Sequence, residues 1–229
     1  MNKEIVFFLV PNLETLKTLS KYFYCSKSKL LSQSLHAIHD NEQSYLLQIL
    51  VLMTKKRIKI CTVGDSLCGK TSLIKRFCER RFDRRMTSTI GIDYGSIQFD
   101  VEEEIVSVDL FDSSGLDQFA EIRNEFYQNT DAFLLVFDVS NQQSFDRLQF
   151  WINEIKNRLM QEDWKQRIHV VGNKNDVAAR KVSPQQGMGF VEKHNLSNYF
   201  DTSALTGSYI DAMFEKVFEE ASRRVLSVV

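Results

Sequence analysis

Eight consecutive residues have the types and spacing of a phosphate-binding loop. They read Gly64-Asp65-Ser66-Leu67-Cys68-Gly69-Lys70-Thr71 and fit the pattern GxxxxGK[ST]. A β-branched alternating stretch precedes them at residues 57–63, and apolar residues at helical spacing follow at residues 72–80. A glycine loop between a strand and a helix N-terminus offers backbone N–H groups to phosphates, and the helix dipole favours negative charge there. We predict that these residues and Ser72 contact nucleotide phosphates, with Lys70 on the β- and γ-phosphates and the Thr71 hydroxyl on Mg²⁺.

A second group of polar residues favours guanine over adenine. Asn173-Lys174-Asn175-Asp176 comes directly after the apolar run at residues 168–172. The Asp176 carboxylate can accept hydrogen bonds from guanine N1–H and the 2-amino group, whereas adenine N1 presents a lone pair to it. Thr202-Ser203-Ala204 follows another predicted strand, and the Ala204 N–H can donate to guanine O6. Ligands of open α/β sheets lie at such strand ends, so we predict GTP or GDP as the ligand. An ATP-dependent P-loop kinase or ATPase has no support in these motifs.

The elements that must position these motifs alternate between strands and helices. Two alternating runs, residues 93–101 and 104–111, surround the acidic pair Glu102-Glu103 and predict a hairpin. The continuous apolar runs at residues 131–138 and 168–172 are typical of strands that are buried on both faces. Helical patterns follow at residues 145–159, 184–195 and 210–225. This order predicts an α/β fold with an open, mostly parallel sheet.

Composition narrows the possible partners and compartments. The chain has 229 residues, 43% of them hydrophobic, and a net charge of −1, which argues against a nucleic-acid-binding face. Its four cysteines do not have the spacing of metal ligands, and we expect them to be reduced thiols in a cytoplasmic protein. We expect no transmembrane span, no prenylated C-terminal cysteine and no N-myristoylation, so that any membrane association occurs through partners. We also expect a monomer.

The chain divides into two unequal parts near Met53. Residues 1–54 are an N-terminal extension, either helical or a gene-model artefact, and residues 55–229 form the nucleotide-binding domain. Two apolar clusters in the extension, at residues 13–23 and 46–50, have helical spacing. His36 and His39 lack further ligands at metal spacing. We expect a chain that starts at Met53 to fold and to bind GTP.

Over residues 57–228 the chain resembles Ras-superfamily small GTPases. The resemblance implies a P-loop NTPase fold (G domain): a six-stranded, mostly parallel sheet with one antiparallel edge strand and helices on both faces. Ser88-Thr89-Ile90-Gly91-Ile92-Asp93-Tyr94 is similar to switch I of Rab proteins and the strand after it, and Thr89 follows Thr71 by 18 residues, as in that family. The resemblance implies that Thr89 closes over Mg²⁺ and the γ-phosphate and that Asp112 holds Mg²⁺ through water. Gly115 would donate its N–H to the γ-phosphate.

The resemblance also gives complete residue sets for the site. The implied catalytic residues are Lys70, Thr89, Gly115 and Leu116. The implied metal ligands are Thr71, Thr89 and Asp112. Besides residues 64–72 and Thr89, the implied nucleotide contacts are Phe82, which would pack on the guanine edge, and Asn173, Lys174, Asp176, Ser203, Ala204 and Leu205. Rab proteins usually carry Lys at position 205, whereas Rho-like proteins carry Leu.

Finer features resemble one Rab-like group, RJL, whose members are sometimes fused to a J domain. The runs that carry this likeness are residues 74–82, Thr89-Ile90-Gly91-Ile92-Asp93-Tyr94-Gly95 and Arg123-Asn124-Glu125-Phe126-Tyr127. No His-Pro-Asp triplet occurs in the chain, so no J domain is expected in it. The resemblance implies effector proteins, an exchange factor and a GTPase-activating protein as partners, in trafficking or signalling.

Switch II, residues 111–119, departs from the family pattern at one position. The residue after Gly115 is Leu116, where Ras and Rab relatives have the Gln that orients the attacking water. Because a Leu side chain cannot form a hydrogen bond, we expect slow intrinsic hydrolysis of GTP. Two alternatives stay open: a rearranged switch II in which another group orients the water, and a GTP-loaded scaffold with negligible hydrolysis.

Overall fold

The structure is a computed structural model that describes residues 6–8, 56–101, 104–159 and 162–226. The strands are β1 (Val6–Phe8), β2 (Arg57–Val63), β3 (Ile92–Val101), β4 (Glu104–Ser113), β5 (Ala132–Asp138), β6 (Ile168–Asn173) and β7 (Asn198–Asp201). The helices are α1 (Lys70–Glu79), α2 (Ala120–Glu125), α3 (Gln142–Asp146), α4 (Leu148–Lys156), α5 (Pro184–His194) and α6 (Ile210–Leu226). Short 3₁₀ turns lie at Asp117–Phe119 and Trp164–Arg167.

The strands form one sheet in the order β1-β3-β4-β2-β5-β6-β7. Strands β4, β2, β5, β6 and β7 run parallel to one another, and β3 pairs antiparallel with β4 from Ile92↔Ser113 to Val101↔Glu104. Strands β3 and β4 confirm the predicted hairpin. Strands β2 to β7 confirm the predicted six strands, of which β3 is the antiparallel one. Because the parallel strands share one direction, their C-terminal ends meet along the same edge of the sheet.

A short seventh strand comes from the N-terminal extension. Val6–Phe8 pairs antiparallel with β3, in the register Val6↔Ser96 to Phe8↔Tyr94. The extension therefore contributes a strand to the sheet at this point. The clusters predicted as helices at residues 13–23 and 46–50 lie outside the described residues, as do His36 and His39.

The core has two halves, one on each face of the sheet. Strand β2 shows the alternation: Ile58 and Ile60 pack into one half, and Cys61 and Val63 pack into the other. On the first face, Phe77 of α1 stacks on Phe214 of α6 with ring centroids 4.4 Å apart. The second face contains Tyr127 from the segment after α2, Phe133 and Leu135 from β5, and Trp151 and Ile155 from α4. Helices thus cover both faces, as predicted, and β5 is buried along its whole length.

The helix predicted over residues 145–159 is interrupted at one residue. Arg147 has φ −77° and ψ −5°, away from the α-helical ψ of about −42°, and it separates α3 from α4. Asn141 caps α3 by accepting a hydrogen bond of 3.1 Å from the N–H of Gln143. Among the described residues, no helix has the length and apolar character needed to cross a bilayer.

Candidate nucleotide-binding site

The phosphate loop between β2 and α1 depends on two glycines. Gly64 has φ +138°, and a Cβ there would lie 2.1 Å from the carbonyl oxygen of Val136. Gly69 has φ +92°, and a Cβ there would lie 2.3 Å from Nδ2 of Asn173. A larger residue at either position would collide with a neighbouring strand end and would adopt a strained backbone, so the motif's glycines are required by the fold.

Helix α1 begins at this loop with its N-terminal N–H groups available to a ligand. Gly69 supplies no side-chain cap, and the first turn contains no acidic residue. An uncapped helix N-terminus of this kind attracts anions through its N–H groups and its dipole. Lys70, which is 5% exposed, donates from Nζ to the carbonyl oxygens of Gly64 at 2.8 Å and Asp65 at 2.9 Å. Burial lowers the pKa of Lys70, and the nearby Asp112 carboxylate raises it.

The three predicted metal ligands meet next to the phosphate loop. Oγ1 of Thr71 lies 2.8 Å from Oγ1 of Thr89 and donates to Oδ2 of Asp112. Thr89 also donates to that oxygen at 3.3 Å, while Thr62 donates to the other carboxylate oxygen at 2.9 Å. Burial raises the pKa of Asp112, and the charge of Lys70 lowers it. Two hydroxyls and a carboxylate are the hard oxygen donors that Mg²⁺ prefers, so the donor set fits this ion.

The residues predicted to recognise the base lie at the C-terminal ends of β6 and β7 and just after them. The Asn173 side chain joins three segments, because its Nδ2 donates to the Cys68 carbonyl at 2.8 Å and its Oδ1 accepts from the Ala204 N–H at 3.2 Å. The hydroxyl of Ser203 donates to a carboxylate oxygen of Asp176. Lys174, which adopts φ +68°, forms an ion pair of 2.6 Å with Asp138. The Ser203 hydrogen bond holds the exposed Asp176 carboxylate at the cavity described next.

A cavity of about 490 Å³ connects the phosphate loop with the residues predicted to recognise the base. Its lining contains many of the residues that the sequence predicted: Ser66, Leu67, Gly69, Lys70, Thr71, Ser72, Phe82, Thr89, Gly115, Asn173, Lys174, Asp176, Ala204 and Leu205. Gly64, Asp65, Cys68, Asp112, Leu116 and Ser203 are outside this lining. The cavity is also lined by residues that the sequence did not assign to the site: Asp83, Arg84, Met86, Thr87, Ser88 and Val177.

Two side chains of the phosphate loop point away from the cavity. Asp65 accepts a hydrogen bond of 2.8 Å from Nε1 of Trp151 and forms an ion pair of 3.0 Å with Arg147. Cys68 is buried in the core, and burial raises the pKa of its thiol to about 11. The structure therefore gives both side chains a packing role, and only their backbone remains available to phosphates.

Switch II lies directly on the phosphate loop. A Cβ at Gly115 would be 2.3 Å from the backbone nitrogen of Ser66 and 2.5 Å from the carbonyl oxygen of Gly64, so only glycine fits there. Leu116, the next residue, has an extended backbone, with φ −86° and ψ 136°. Its N–H donates to the Ser114 hydroxyl at 3.3 Å, and its carbonyl accepts a hydrogen bond of 2.7 Å from Arg123. Gln118 is exposed on the 3₁₀ turn.

Arg123 is a residue of this region to which sequence analysis assigned no role. It is completely buried, and its guanidinium forms a bidentate ion pair with Glu154 of α4. A fully buried arginine needs a partner, but the sequence alone does not identify a partner 31 residues away.

Comparison with known proteins places this geometry in a family. The chain matches the Ras family over residues 59–223. It is 38% identical over 165 residues to DnaJ homolog subfamily C member 27 of Danio rerio and to that of Homo sapiens, and 39% identical to that of Gallus gallus. Each match covers 71% of this chain and 60% of the relative, so the chain spans less than two thirds of the length of these relatives.

These matches agree with the motifs and the fold. The Ras-family match covers every predicted nucleotide motif, from the phosphate loop to Ala204. The relatives carry DnaJ names, which confirms the likeness to the Rab-like group associated with J domains. The chain therefore belongs to the Ras family of small GTPases, and its relatives are those of the RJL group.

Proposed function

We propose that this chain is a guanine-nucleotide switch that binds GTP and GDP with Mg²⁺ and hydrolyses GTP slowly. The observation that carries the proposal is the position of Leu116. A Cβ on Gly115 would collide with the phosphate loop, and residue 116, which follows Gly115, is the position at which the resemblance to Ras and Rab proteins implies a water-orienting Gln. An apolar side chain there can neither donate a hydrogen bond to water nor accept one from it.

Several residues would hold the nucleotide. Backbone N–H groups of the phosphate loop and α1 would bind the phosphates, and Lys70, already turned across the loop, would reach them as well. Thr71, Thr89 and Asp112 would hold Mg²⁺, which neutralises phosphate charge when it is bound. Asp176, oriented by Ser203, would distinguish guanine from adenine.

Residues 55–229 would form the G domain, and residues 1–54 would be an extension of it. The family match over residues 59–223 supports this boundary. Effectors, an exchange factor and a GTPase-activating protein would contact the loop at residues 80–91 and switch II, since these segments surround the γ-phosphate position in the proposed complex.

A single-turnover assay tests whether GTP hydrolysis is slow. The full chain would be loaded with GTP, and release of phosphate would be followed for wild type, Leu116→Gln and Leu116→Met. We expect Leu116→Gln to raise the rate by about 10-fold or more, because an amide can orient the water, and Leu116→Met to leave it unchanged. Equal rates for wild type and Leu116→Gln would mean that another group orients the water.

A GTP-loaded scaffold without hydrolysis is the second candidate, and Leu116 favours it as well. The nucleotide that co-purifies with the wild-type chain separates the two candidates. GDP would indicate turnover and support the switch, whereas GTP that persists over hours at 25 °C would support the scaffold. A chain without any guanine nucleotide, and without affinity for added GTP, would contradict both.

A further inference from the structure

One wall of the nucleotide cavity comes from the loop at residues 80–91. The loop residues that line the cavity are 82–84 and 86–89. Near its C-terminal end the loop contacts the phosphate loop, because the hydroxyls of Ser88 and Ser66 lie 2.8 Å apart, as do those of Thr89 and Thr71. A ligand that extends along the phosphate loop would therefore lie next to this wall as well.

Three charged side chains of the cavity lining are held by contacts within the protein. Lys70 donates to two carbonyl oxygens of the phosphate loop, and Lys174 forms its 2.6 Å ion pair with Asp138. The Asp83 carboxylate accepts a hydrogen bond of 2.8 Å from the backbone N–H of Arg85. The positions of these three side chains are thus defined before any nucleotide binds.

Arg84 differs from these three residues. It is exposed and lines the cavity, and within the part of the chain that the structure describes its guanidinium has no carboxylate partner. A guanidinium presents its N–H donors in a planar fork that matches the oxygens of a phosphate group. Arg84 can therefore turn towards a bound phosphate without breaking an ion pair among the described residues.

We propose that Arg84 is a further nucleotide-binding residue, whose guanidinium donates hydrogen bonds to the phosphates from the wall formed by residues 80–91. The phosphate loop and Lys70 would bind the same phosphates from their own side of the cavity. Because the contact joins opposite charges, it increases affinity for the nucleotide and slows its release. This inference rests on the proposed nucleotide binding, and it gives Arg84 no role in recognition of the base.

The neighbouring Arg85 provides a matched control. It is exposed, has the same charge and belongs to the same loop, but it is outside the cavity lining. Like Arg84, it forms no ion pair with the described residues. Removing either charge changes the long-range field at the cavity by a similar amount, so a difference between the two variants reports a direct contact.

The affinity and the release rate of fluorescent GDP test the contact. The full chain would be measured with Mg²⁺ as wild type, Arg84→Gln, Arg84→Lys and Arg85→Gln. We expect Arg84→Gln to weaken GDP binding by about 5-fold or more, because a charge-assisted hydrogen bond to phosphate is lost. Arg84→Lys keeps the charge without the planar fork and should have an intermediate effect. Arg85→Gln should stay within about twofold of wild type.

Two further measurements separate a phosphate contact from other roles of Arg84. Inosine diphosphate has the phosphates of GDP but lacks the 2-amino group, so Arg84→Gln should weaken both ligands by the same factor. An ionic contact of an exposed side chain is screened by salt, so the affinities of wild type and Arg84→Gln for GDP should converge between about 0.05 and 0.5 M NaCl. The urea midpoint of unfolding should be the same for both, since Arg84 has no ion pair to lose among the described residues.

Three outcomes would overturn the inference. These are equal affinity of Arg84→Gln and wild type for GDP, an equally large loss in Arg85→Gln, and a changed ratio between the affinities for GDP and inosine diphosphate. A wild-type chain that binds neither GDP nor GTP would overturn the proposed function, and this inference with it. That outcome is distinct because it concerns wild type alone, whereas the other three compare variants of a chain that binds nucleotide.

Discussion

The carboxylate of Asp65 in the phosphate loop accepts a 2.8 Å hydrogen bond from the indole Nε1 of Trp151 in α4. Trp151 is completely buried, and Arg147 adds an ion pair to the same carboxylate oxygen. A side chain of the predicted ligand-binding motif is therefore bonded to the core, and this bond connects the loop to a helix outside the cavity.

Removing this hydrogen bond should weaken nucleotide retention as well as stability. Trp151→Phe removes the indole N–H and leaves Asp65 with Arg147 alone, so we expect the free energy of unfolding to fall by about 1–3 kcal/mol. The phosphate loop would lose one of its anchors, and fluorescent GDP should dissociate several-fold faster. Urea unfolding and stopped-flow release measure the two effects.

Trp164→Phe is the control for that experiment, since Trp164 is only partly buried and lies near β6. It should leave the dissociation rate of GDP unchanged. If both variants release GDP at the wild-type rate, the link between Trp151 and Asp65 has no influence on the phosphate loop.

Nucleotide retention should depend on Mg²⁺ through the hydroxyl of Thr71. In wild type, chelation of Mg²⁺ with EDTA should speed GDP release by about 10-fold or more, because the metal ligands are then lost. Thr71→Val keeps the size of the side chain and removes its oxygen, so release should be fast with or without EDTA. Thr62→Val is the control variant, because Thr62 donates to the other carboxylate oxygen of Asp112. GDP release from this variant should still become faster when EDTA is added.

The base preference should depend on the carboxylate of Asp176. Inosine triphosphate lacks the 2-amino group of GTP, so wild type should bind it about 10- to 100-fold more weakly, as expected for the loss of a hydrogen bond to a charged group. Asp176→Ala should bind GTP weakly and lose most of this discrimination. Asp146→Ala, an exposed aspartate of α3, should behave like wild type in the same competition assay. Equal affinity of wild type for both nucleotides would contradict this assignment of Asp176.

Acid should destabilise the fold through His169 on β6. Burial lowers the pKa of His169 to about 4 from an ordinary value of 6.5, with Glu220 opposing the shift and Arg224 and Lys216 adding to it. The unfolded chain therefore binds more protons between pH 6.5 and 4. Stability is fully present above pH 6.5 and falls as the pH drops towards 4, by about 3 kcal/mol in all for this group.

The variant His169→Gln cannot titrate and should show a smaller loss of stability over that range. Urea unfolding of wild type and variant at pH 7.0, 6.0 and 5.0 gives the difference. His194→Gln, at a partly exposed position in α5, is the control. Parallel pH curves for wild type and His169→Gln would show that His169 does not carry this dependence.

Much of the site was predictable because its chemistry lies in contiguous motifs. The phosphate loop was predictable from the spacing of its glycines, from the alternating strand pattern before it and from the helical apolar spacing after it. The structure places its backbone, Lys70 and Thr71 together with Thr89 and Asp112. The hairpin of β3 and β4 also followed from local alternation. The interruption at Arg147 was not predictable, because the apolar spacing continues through it and only the backbone angle ψ reveals the break.

The sequence by itself determined which residue types are present: a glycine-rich loop with Lys70 and Thr71, the Asp176 carboxylate and, at position 116, a leucine without hydrogen-bonding groups. These properties belong to residue types at short spacing. Only the tertiary structure decided that Asp65 turns towards Trp151, 86 residues away, and that Arg123 joins Leu116 to Glu154. Such partners come together only when the sheet and α4 pack, since no local pattern specifies which buried polar groups satisfy each other.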